Sequence, residues 1–522
     1  MASGGADGAS SAGSGAPTVL HIREPRVEGQ RLVVSWAVEP DPGLWRASSF
    51  ELCFPPAIDL AGLPPRLAWT VALLCLHPTW ALLGDGRVEL PVALGPGEAE
   101  VWLRLVDAIV DTHDRTAAAH AAAEGRSWPA RPGRRVALVE GDQPIAAAPV
   151  GPEPGVGPTA EVVAAFSGGK DGLLQVALLA ELGIPTVAVA VTSPLPDRDD
   201  QRTARRAEVL RELPERLPVE LVEVRSDLRA LVDNDAPARL GWHISVCEMT
   251  DTHLYVAACL VAAWARGAGQ VVLASEAEVQ ENVEVDGVVV QHPHLMYSAA
   301  TQQVVSALTA SSGIAVGSLT YPLPSGLVQR MLWHRYPQVR DLQYSCWRVR
   351  DGEAECSECS QCLRIAVAAL AAGGSPAEMG IDVDRLFRAQ QGWRPGGKPE
   401  LGLPDDAVRR SLHDQVVRNL AAVDPAEAAR TLGLHRFAST VRSYGRLRRS
   451  VLAVASPTPE PGWRAGYLRL VPPTVAERVG AICDEAFPRA AEATYLPALE
   501  RTERLVGAAL EPLATTPRGA LP

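Results

Sequence analysis

The segment Val162–Phe166 is a short apolar strand that runs into Ser-Gly-Gly-Lys-Asp-Gly and then into an apolar helix. Similar strands, alternating with helices, follow it as far as residue 274. The predicted strands are Thr186–Thr192, Val219–Arg225 and Gln270–Ala274, and the predicted helices are Leu173–Leu182, Asp200–Glu212 and Thr250–Arg266. Strands that are apolar throughout are covered on both faces, and intervening helices allow neighbouring strands to run parallel. The sequence therefore predicts an α/β fold with a doubly wound parallel sheet.

The rest of the chain divides by composition around this sheet. Residues 1–17 are small and polar and are expected to form a disordered tail. Residues 18–125 combine strand and helix patterns, which predicts an N-terminal α+β domain. Residues 126–160 are rich in proline, glycine and alanine and are interpreted as a linker. The predicted α/β domain spans 161–400, and 401–522 is predicted to be a mainly helical C-terminal region.

Charge and hydropathy exclude several classes of protein. The chain has 61 acidic and 49 basic residues, a net charge of −12, which argues against broad binding of nucleic acid. No apolar run of about 18 residues is free of charges and turn formers, so no membrane span is predicted. The N-terminus lacks the basic region and apolar core of a secretory signal. We therefore expect a cytoplasmic protein whose nine cysteines serve metal binding or catalysis rather than disulfides.

The Gly-rich turn has the composition of a phosphate-binding loop. Its predicted ligand-binding residues are Ser167, Gly168, Gly169, Lys170, Asp171 and Gly172. The glycines let the backbone turn tightly and present N–H groups to an anion, and the following helix N-terminus adds partial positive charge. Ser167 and Lys170 can contact phosphate oxygens, whereas Asp171 is expected to cap the turn or to help hold Mg²⁺. The alternative interpretation is an ordinary turn between a strand and a helix.

Lysine is rare in this chain. Only Lys170 and Lys398 are lysines among the 49 basic residues. An exposed lysine can be exchanged for arginine more readily than one that must provide a compact ammonium group. The position of Lys170 in the loop therefore favours a functional role for it.

Four of the nine cysteines are clustered. They follow the pattern Cys346-x9-Cys356-x2-Cys359-x2-Cys362. Four thiolates at such spacing form a closed, structural tetrahedral zinc site. An iron–sulfur cluster also needs four cysteines, but the position behind a phosphate loop favours zinc. Of the others, Cys53, Cys75 and Cys259 are expected to be core residues.

The loop resembles the PP-loop of the ATP pyrophosphatase superfamily, usually SGGxDS, with Gly172 in place of the final serine. The spacing of the Walker loop, GxxxxGK[ST], is absent. This resemblance implies a HUP-like fold that binds ATP and Mg²⁺ and splits ATP into AMP and pyrophosphate. Such enzymes often adenylate a carboxylate or carbonyl oxygen of the second substrate.

Two narrower resemblances are carried by further motifs. Over about 161–370, the loop and the cysteine pattern resemble 7-cyano-7-deazaguanine synthases. In overall layout the chain is more similar to ATP-dependent UDP-N-acetylmuramoyl-L-alanyl-L-glutamate epimerases. The segments that carry this similarity are Gly241-Trp242-His243, Ala274-Ser275-Glu276, Asn282, Gln291-His292, Ser345-Cys346 and Lys398-Pro399. The resemblance implies epimerisation of an L-glutamyl centre in a peptidoglycan precursor or a related peptide.

The candidate catalytic residues are Lys170, His243, Glu276 and His292. Glu276 ends a predicted strand, where its carboxylate could hold Mg²⁺ or a ribose, or could cap a helix. His243 is a candidate base or a core histidine, and Cys247 nearby is a candidate thiol. The segment containing His292 resembles a substrate loop.

The predicted function is adenylation of a carboxylate on a small molecule or peptide, with ATP, Mg²⁺ and Zn²⁺ as cofactors. The main alternative is a ligase that forms an amide or nitrile, as the 7-cyano-7-deazaguanine synthases do. A second alternative is a nucleotide-binding regulatory protein, which the replacement at Gly172 favours. A third is a tRNA-modifying enzyme using basic residues of Arg436–Arg449, although the net charge opposes it. Homo-oligomerisation is left open.

Overall fold

The structure is a computed structural model. It describes residues 17–123, 136–145, 160–193, 200–233, 235–240, 246–280, 283–285, 288–290, 297–346, 354–393, 407–459 and 461–515. Within these ranges the chain forms fifteen strands and sixteen α-helices.

The strands are β1 Val19–Ile22, β2 Arg26–Glu28, β3 Arg31–Glu39, β4 Ser49–Cys53, β5 Arg87–Glu89, β6 Val92–Ala93, β7 Ala137–Val139, β8 Gln143–Pro144, β9 Val162–Ala165, β10 Thr186–Thr192, β11 Glu220–Ser226, β12 Gln270–Val272, β13 Val283–Val285, β14 Val288–Val290 and β15 Ala315–Gly317. The helices are α1 Pro65–Trp80, α2 Glu98–Ala123, α3 Lys170–Glu181, α4 Asp200–Arg216, α5 Leu228–Leu231, α6 Ala236–Arg239, α7 Val246–Arg266, α8 Ala299–Thr309, α9 Ser325–Arg335, α10 Ser360–Ala371, α11 Val383–Ala389, α12 Ala407–Ala422, α13 Pro425–Thr431, α14 Ser439–Leu452, α15 Pro473–Ala486 and α16 Leu496–Thr515.

The main sheet is mixed, with one wholly parallel half. Its order is β15-β12-β9-β10-β11-β4-β3-β1-β5-β7, and β2 pairs with β3 outside this path. The five strands from β15 to β11 are parallel. Val163 of β9 lies opposite Val187 of β10 on one side and Val271 of β12 on the other, and all three are fully buried. The predicted α/β class is confirmed, and the apolar strands occupy the covered centre of the sheet as their composition requires.

The chain order of the parallel strands reverses beside β9. From β9 the chain continues to β10 and β11 on one side, and β12 and β15 lie on the other. In open α/β sheets, ligands characteristically bind outside the carboxyl ends of the two strands at such a point. Here those ends belong to β9 and β12.

The N-terminal strands join the same sheet. β11 pairs antiparallel with β4, where Arg225 lies opposite Cys53 and Ser226 opposite Leu52. Immediately beyond this pairing, the backbone N–H of Glu51 donates to Asp227 Oδ1 at 2.9 Å. The region expected to be a separate N-terminal domain is therefore hydrogen-bonded edge to edge with the α/β sheet.

The interval interpreted as a linker, 126–160, contains two short strands. β7 pairs in parallel with β5, and β8 pairs in parallel with β6. Leu138 packs against the N-terminal core, although Val139 is exposed. These few apolar residues are enough to extend the sheet, and the surrounding proline and glycine obscured them in the sequence.

Helix α1 packs against α7 in a hydrophobic core that includes residues from both parts of the sheet. Pro65–Leu83, which is α1 with its last short turn, is long and apolar enough by length and composition to cross a membrane. However, 89% of this stretch is buried inside the protein, as in a core helix. The tilted rings of His77, Trp80 and Trp102 pack against one another, and the His77 ring also contacts the ring of His253 in α7, with centroids 5.2 to 6.5 Å apart.

This interface predicts an acid-sensitive stability. The His253 ring is 1% exposed, and its Nδ1–H donates to the Leu74 carbonyl at 3.2 Å. Burial lowers the pKa of His253 from 6.5 to about 4, so the folded chain binds this proton less readily than the unfolded chain. The stabilising contribution of the neutral, buried His253 ring is therefore fully present above pH 6.5 and is lost as the pH falls to about 4. The loss attributable to His253 is expected to reach about 3 kcal/mol.

Denaturant unfolding between pH 4 and 7.5 checks this expectation. His253→Gln should flatten the pH dependence relative to the wild-type chain, even if it also lowers stability at neutral pH. The matched control is His21→Gln, because the His21 side chain is 44% exposed. If wild-type and His253→Gln proteins show the same slope between pH 4 and 6.5, the expectation is wrong.

The C-terminal region is helical where it is described, and its last helix returns to the N-terminal part. α16 packs against α2 and α8. Arg104 of α2 donates to the Ala508 carbonyl and forms an ion pair with Glu511 at 3.2 Å. Gly97 lies so close to α16 that a Cβ there would stand 2.4 Å from the Pro512 carbonyl oxygen, and its φ is +79°. This position requires glycine for both reasons.

Candidate functional site

The Gly-rich loop connects the end of β9 to the start of α3, at the point where the strand order reverses. Gly168 is buried and has a φ of +85°, a conformation that glycine adopts without strain. Gly169 is the N-cap of α3 and supplies no side-chain acceptor to the first turn. The first N–H groups of the helix therefore lack the usual side-chain cap and can be met by an anion. The Ser167 side chain beside them is exposed.

Lys170 contacts two carboxylates, one beside it in α3 and one in the segment that follows β12. It is 7% exposed, and its Nζ donates to Asp171 Oδ1 and to Glu276 Oε2, both at 2.5 Å. Glu276 follows β12, so this contact joins the two central strands where the order reverses. The structure thus brings the predicted residues Lys170, Asp171 and Glu276 together. An ammonium group has three N–H donors, and these two bonds leave one for a ligand.

Glu276 is held by a buried polar network. Its neighbour Ser275 is 1% exposed, and Ser275 Oγ accepts from Gln302 Nε2 at 2.7 Å. The hydroxyls of Ser318 and Thr320 donate to the Ser275 carbonyl at 3.1 and 2.9 Å. Satisfied networks of this kind fix the backbone in one arrangement. Ser275 therefore positions Glu276.

Electrostatics couples the two carboxyl groups. Burial and the Glu276 charge raise the pKa of Asp171 to about 7, against the opposing effect of Lys170. Burial also acts to raise the pKa of Glu276. The Lys170 ammonium and a hydrogen bond from Asp171 outweigh it and bring that pKa to about 2. The pKa values of the two carboxyl groups are shifted in opposite directions because two negative charges this close disfavour each other.

The four clustered cysteines form a candidate metal centre. All four are buried, and their Sγ atoms lie within 4.8 Å of one another. Cys362 Sγ is 3.5 Å from Cys359 Sγ and 3.7 Å from Cys356 Sγ. Tetrahedral zinc with bonds of about 2.3 Å places its sulfur ligands about 3.8 Å apart. Cys346, Cys356, Cys359 and Cys362 could therefore bind a metal such as zinc.

Local backbone geometry supports the cysteine cluster. Cys359 is the N-cap of α10, and its Sγ accepts from the Cys362 N–H at 3.4 Å. The N–H of Cys356 similarly donates to Cys346 Sγ at 3.5 Å. Between them, Ser357 has a φ of +54°, and its Oγ accepts from the Asp382 N–H at 2.8 Å. The turn that brings the four thiols together is thus held in part by Asp382, a residue outside the cysteine motif.

A backbone hydrogen bond joins the segment leading into the cysteine cluster to the Gly-rich loop. The backbone N–H of Tyr344, two residues before Cys346, donates to the Gly168 carbonyl at 2.8 Å. On the other side, α10 starts at the cysteines and carries Arg364, whose charge interacts with Asp171 and Glu276. The sequence prediction missed both Tyr344 and Arg364. The available signal was their position, since each lies two residues from a cysteine of the motif.

The other residues singled out in the sequence are not part of the Lys170 cluster or the cysteine cluster as the structure describes them. His243 and His292 lie outside the described residues, as do Asn282 and Lys398. Cys247 is in α7, but its side chain is outside the described part. The three expected core cysteines are separate from the cluster: Cys75 and Cys259 are buried, and Cys53 is half-buried in β4. In α14, which spans most of the basic stretch, Tyr444, Leu447 and Val451 form a buried face.

Comparisons of the chain with family models, curated proteins and solved structures gave no match. The assignment to the PP-loop superfamily is therefore a prediction from the motifs. The features that bear on function are the Gly-rich loop, the cluster of Lys170, Asp171 and Glu276, and the four cysteines.

Proposed function

We propose that the chain binds ATP at the carboxyl ends of β9 and β12 and transfers its adenylyl group to a substrate carboxylate, releasing pyrophosphate. The observation that carries the proposal is the Lys170–Glu276 contact, because it lies at the point where the strand order reverses. Ligands of open α/β sheets bind at that point. The order β11-β10-β9-β12-β15 also supports the finer proposal of a doubly wound, PP-loop-like domain.

The phosphates of ATP would bind the N–H groups at the start of α3, the Ser167 hydroxyl and the remaining donor of Lys170. A triphosphate beside two carboxyl groups also calls for a divalent cation. Asp171 and Glu276 offer the oxygen ligands that Mg²⁺ prefers, and both are partly accessible. Mg²⁺, when bound, would neutralise phosphate charge. These residues fit both groups.

In the proposed reaction a carboxylate oxygen of the substrate attacks the α-phosphorus. The bond from that phosphorus to the bridging oxygen of pyrophosphate breaks, and pyrophosphate leaves with the electron pair. Lys170 and the α3 N–H groups would stabilise the charge that develops on the phosphate oxygens. The acyl adenylate lacks the carboxylate charge, so its α-proton becomes more acidic.

The similarity to the muramoyl-peptide epimerases suggests the second stage. One group removes the α-proton, another returns a proton to the opposite face, and water then hydrolyses the adenylate to AMP. We propose His243 and His292 as these proton-transfer groups. Attack by an amine instead of water would give the amide-forming alternative, which begins with the same adenylate.

Product analysis tests the proposed function. Purified protein with Mg²⁺ and ATP is incubated with UDP-muramoyl-L-Ala-L-Glu, free L-Glu or 7-carboxy-7-deazaguanine, and AMP, ADP and pyrophosphate are measured. AMP with pyrophosphate on one substrate supports adenylation and selects between epimerase and ligase. ADP as the product would overturn the proposal. ATP binding without turnover on the panel would favour the regulatory alternative.

The residue that departs from the usual motif provides a further prediction. A Cβ at Gly172 would lie 3.4 Å from Phe166 Cδ2 and 3.7 Å from the Ser167 nitrogen, which are ordinary contacts. Gly172→Ser should therefore fold. It should raise the free energy of unfolding by about 0.5 kcal/mol, because glycine disfavours a helix. If the absent hydroxyl limits phosphate binding, the variant also binds Mg²⁺-ATP more tightly.

Calorimetry with Mg²⁺-ATP and thermal unfolding measure the two effects on Gly172→Ser. Gly172→Ala is the matched control, since it makes the same helix change without the hydroxyl. Tighter binding by both variants would show that the hydroxyl is irrelevant. A marked loss of stability in both would contradict the packing argument.

A further inference from the structure

Gln302 is a buried glutamine whose side-chain amide connects three segments of the chain. It lies near the start of α8 and is 1% exposed. Its Nε2 donates to Ser275 Oγ at 2.7 Å and to the Tyr297 carbonyl at 2.8 Å, and its Oε1 accepts from the Tyr321 hydroxyl. Because a carbonyl can only accept, the contact with Tyr297 fixes the orientation of the amide. Both N–H donors and the oxygen of the amide are therefore engaged.

This polar network lies where apolar side chains could also pack. Tyr321 is fully buried in an apolar cluster with Ala277 and Ala299. A buried hydrogen-bonded pair adds little net stability compared with apolar groups of the same shape. A fully paired network instead holds its members in one arrangement. The contacts of Gln302 therefore favour a role in geometry over a role in stability.

Residues at the start of α8 hold the backbone on both sides of Glu276. Ser275, which accepts from α8 through its Oγ, is the residue before Glu276. After Glu276, Gln280 Nε2 donates to the Glu276 carbonyl at 3.1 Å, and Gln280 Oε1 accepts from the Ala299 N–H at 2.6 Å. The side chain between these two supports accepts from Lys170 Nζ at 2.5 Å. The position of the Glu276 carboxylate is thus set from α8.

We propose that Gln302 is a positioning residue that fixes the Glu276 carboxylate for Mg²⁺, and that Tyr321 orients the Gln302 amide. This inference rests on the proposed function and deepens it by assigning buried residues behind the proposed metal ligand. Hydrogen bonds that hold a metal ligand in place strengthen metal binding, because less ordering is needed when the ion binds. Without the Gln302 amide, Ser275 and the carboxylate that follows it lose this support.

The test measures how much Mg²⁺ the full chain needs to bind ATP. Calorimetry at increasing Mg²⁺ follows ATP binding by the wild type, Gln302→Met and Glu276→Gln, and melting temperatures are measured on the same preparations. Methionine is unbranched and apolar, so it fills the space of the glutamine without its amide. The matched control is Gln329→Met, since Gln329 is also buried and its Nε2 donates to Gln343 at 2.8 Å. In the described part of the chain, Gln329 makes no hydrogen bond to the Lys170 cluster.

We expect Gln302→Met to raise the Mg²⁺ concentration for half-maximal ATP binding by about 10- to 100-fold, the usual effect of removing a hydrogen-bond partner of a metal ligand. The control should need as much Mg²⁺ as the wild type. A variant with both Gln302→Met and Glu276→Gln should resemble Glu276→Gln alone, because a residue that acts through Glu276 has no further effect once that carboxylate is gone.

A second double variant separates positioning from stability. Gln302→Met combined with Tyr321→Phe removes both partners of one buried hydrogen bond, so it should melt closer to the wild type than Gln302→Met alone. Ser275 still lacks its partner, so the raised Mg²⁺ requirement should persist. A merely structural role predicts instead that the melting temperature and the Mg²⁺ requirement recover together.

Three results overturn the inference. The first is a wild-type Mg²⁺ requirement in Gln302→Met. The second is an additive effect of Gln302→Met and Glu276→Gln, which would show that Gln302 does not act through that carboxylate. The third is recovery of the Mg²⁺ requirement together with the melting temperature when Tyr321→Phe is added.

Failure of the proposed function gives a different result, because the wild type then does not bind ATP in the presence of Mg²⁺. The positioning of Glu276 is in that case tested through its contact with Lys170, by acetylation with acetic anhydride. Peptide mass spectrometry distinguishes Lys170 from Lys398, the only other lysine, which serves as the reference. Faster acetylation of Lys170 in Gln302→Met than in the wild type supports the inference, and an unchanged or slower rate overturns it.

Discussion

Lys170→Met is expected to abolish formation of AMP and pyrophosphate and to lower the free energy of unfolding by about 3–5 kcal/mol. The substitution keeps the apolar stem but removes the ammonium that holds Asp171 and Glu276 at 2.5 Å. Two partly buried carboxyl groups are then left without their cation. Removing one partner of a buried ion pair destabilises a protein more than replacing both partners with apolar residues. Product analysis and denaturant unfolding measure the two effects.

A double variant separates catalysis from stability. Lys170→Met with Glu276→Gln removes one negative charge together with the positive one, so it should recover part of the lost stability. It should not recover AMP formation. Arg115→Met is a matched control, because Arg115 forms an exposed surface pair with Asp111 that is worth at most about 1 kcal/mol. AMP formation by Lys170→Met at the wild-type rate would contradict the assignment of Lys170.

Cys362→Ser is expected to remove the bound metal and to weaken both the stability and the nucleotide binding of the chain. Structural zinc contributes on the order of 10 kcal/mol in small metal-dependent folds, which is comparable with the whole stability of a typical domain. The loss is expected to reach the loop because the backbone N–H of Tyr344, two residues before Cys346, donates to the Gly168 carbonyl. Metal content, thermal unfolding and Mg²⁺-ATP binding measure the three consequences.

Cys483→Ser is the control for that experiment. Cys483 is also fully buried, but it lies in α15 away from the cluster. It should retain one metal ion per chain and wild-type binding of Mg²⁺-ATP. Iron in place of zinc would select the iron–sulfur alternative. A wild-type chain that binds no metal after reconstitution would show that the cysteine centre is not a metal site.

The central strands and the site residues could be predicted because their signals are local. Val162–Ala165 is apolar throughout, and the glycines after it mark the turn. Glu276 could be predicted near the loop because ligand-binding residues of open α/β sheets lie at the carboxyl ends of strands. The structure brings it into contact with Lys170, 106 positions earlier in the sequence. The cysteine spacing likewise predicted a cluster that the fold assembles.

The contact between Tyr344 and Gly168 could not be predicted from such patterns. The Tyr344–Gly168 bond joins segments 176 positions apart, and nothing in either segment specifies the other. The same holds for the pairing of β4 with β11, since the polar residues Ser49 and Glu51 make β4 look like an edge strand. Edge strands carry free backbone groups, and which edge meets which is decided by packing of the whole chain.

The return of α16 to α2 has a consequence for synthesis of the protein. Arg104 and its partner Ala508 are 404 residues apart. Translation at about 5–20 residues per second leaves roughly 20 to 80 s between their emergence. During that interval the surface that α16 will cover is open on the nascent chain. A chaperone that shields apolar surface is therefore expected to act on the N-terminal half until the last helix arrives.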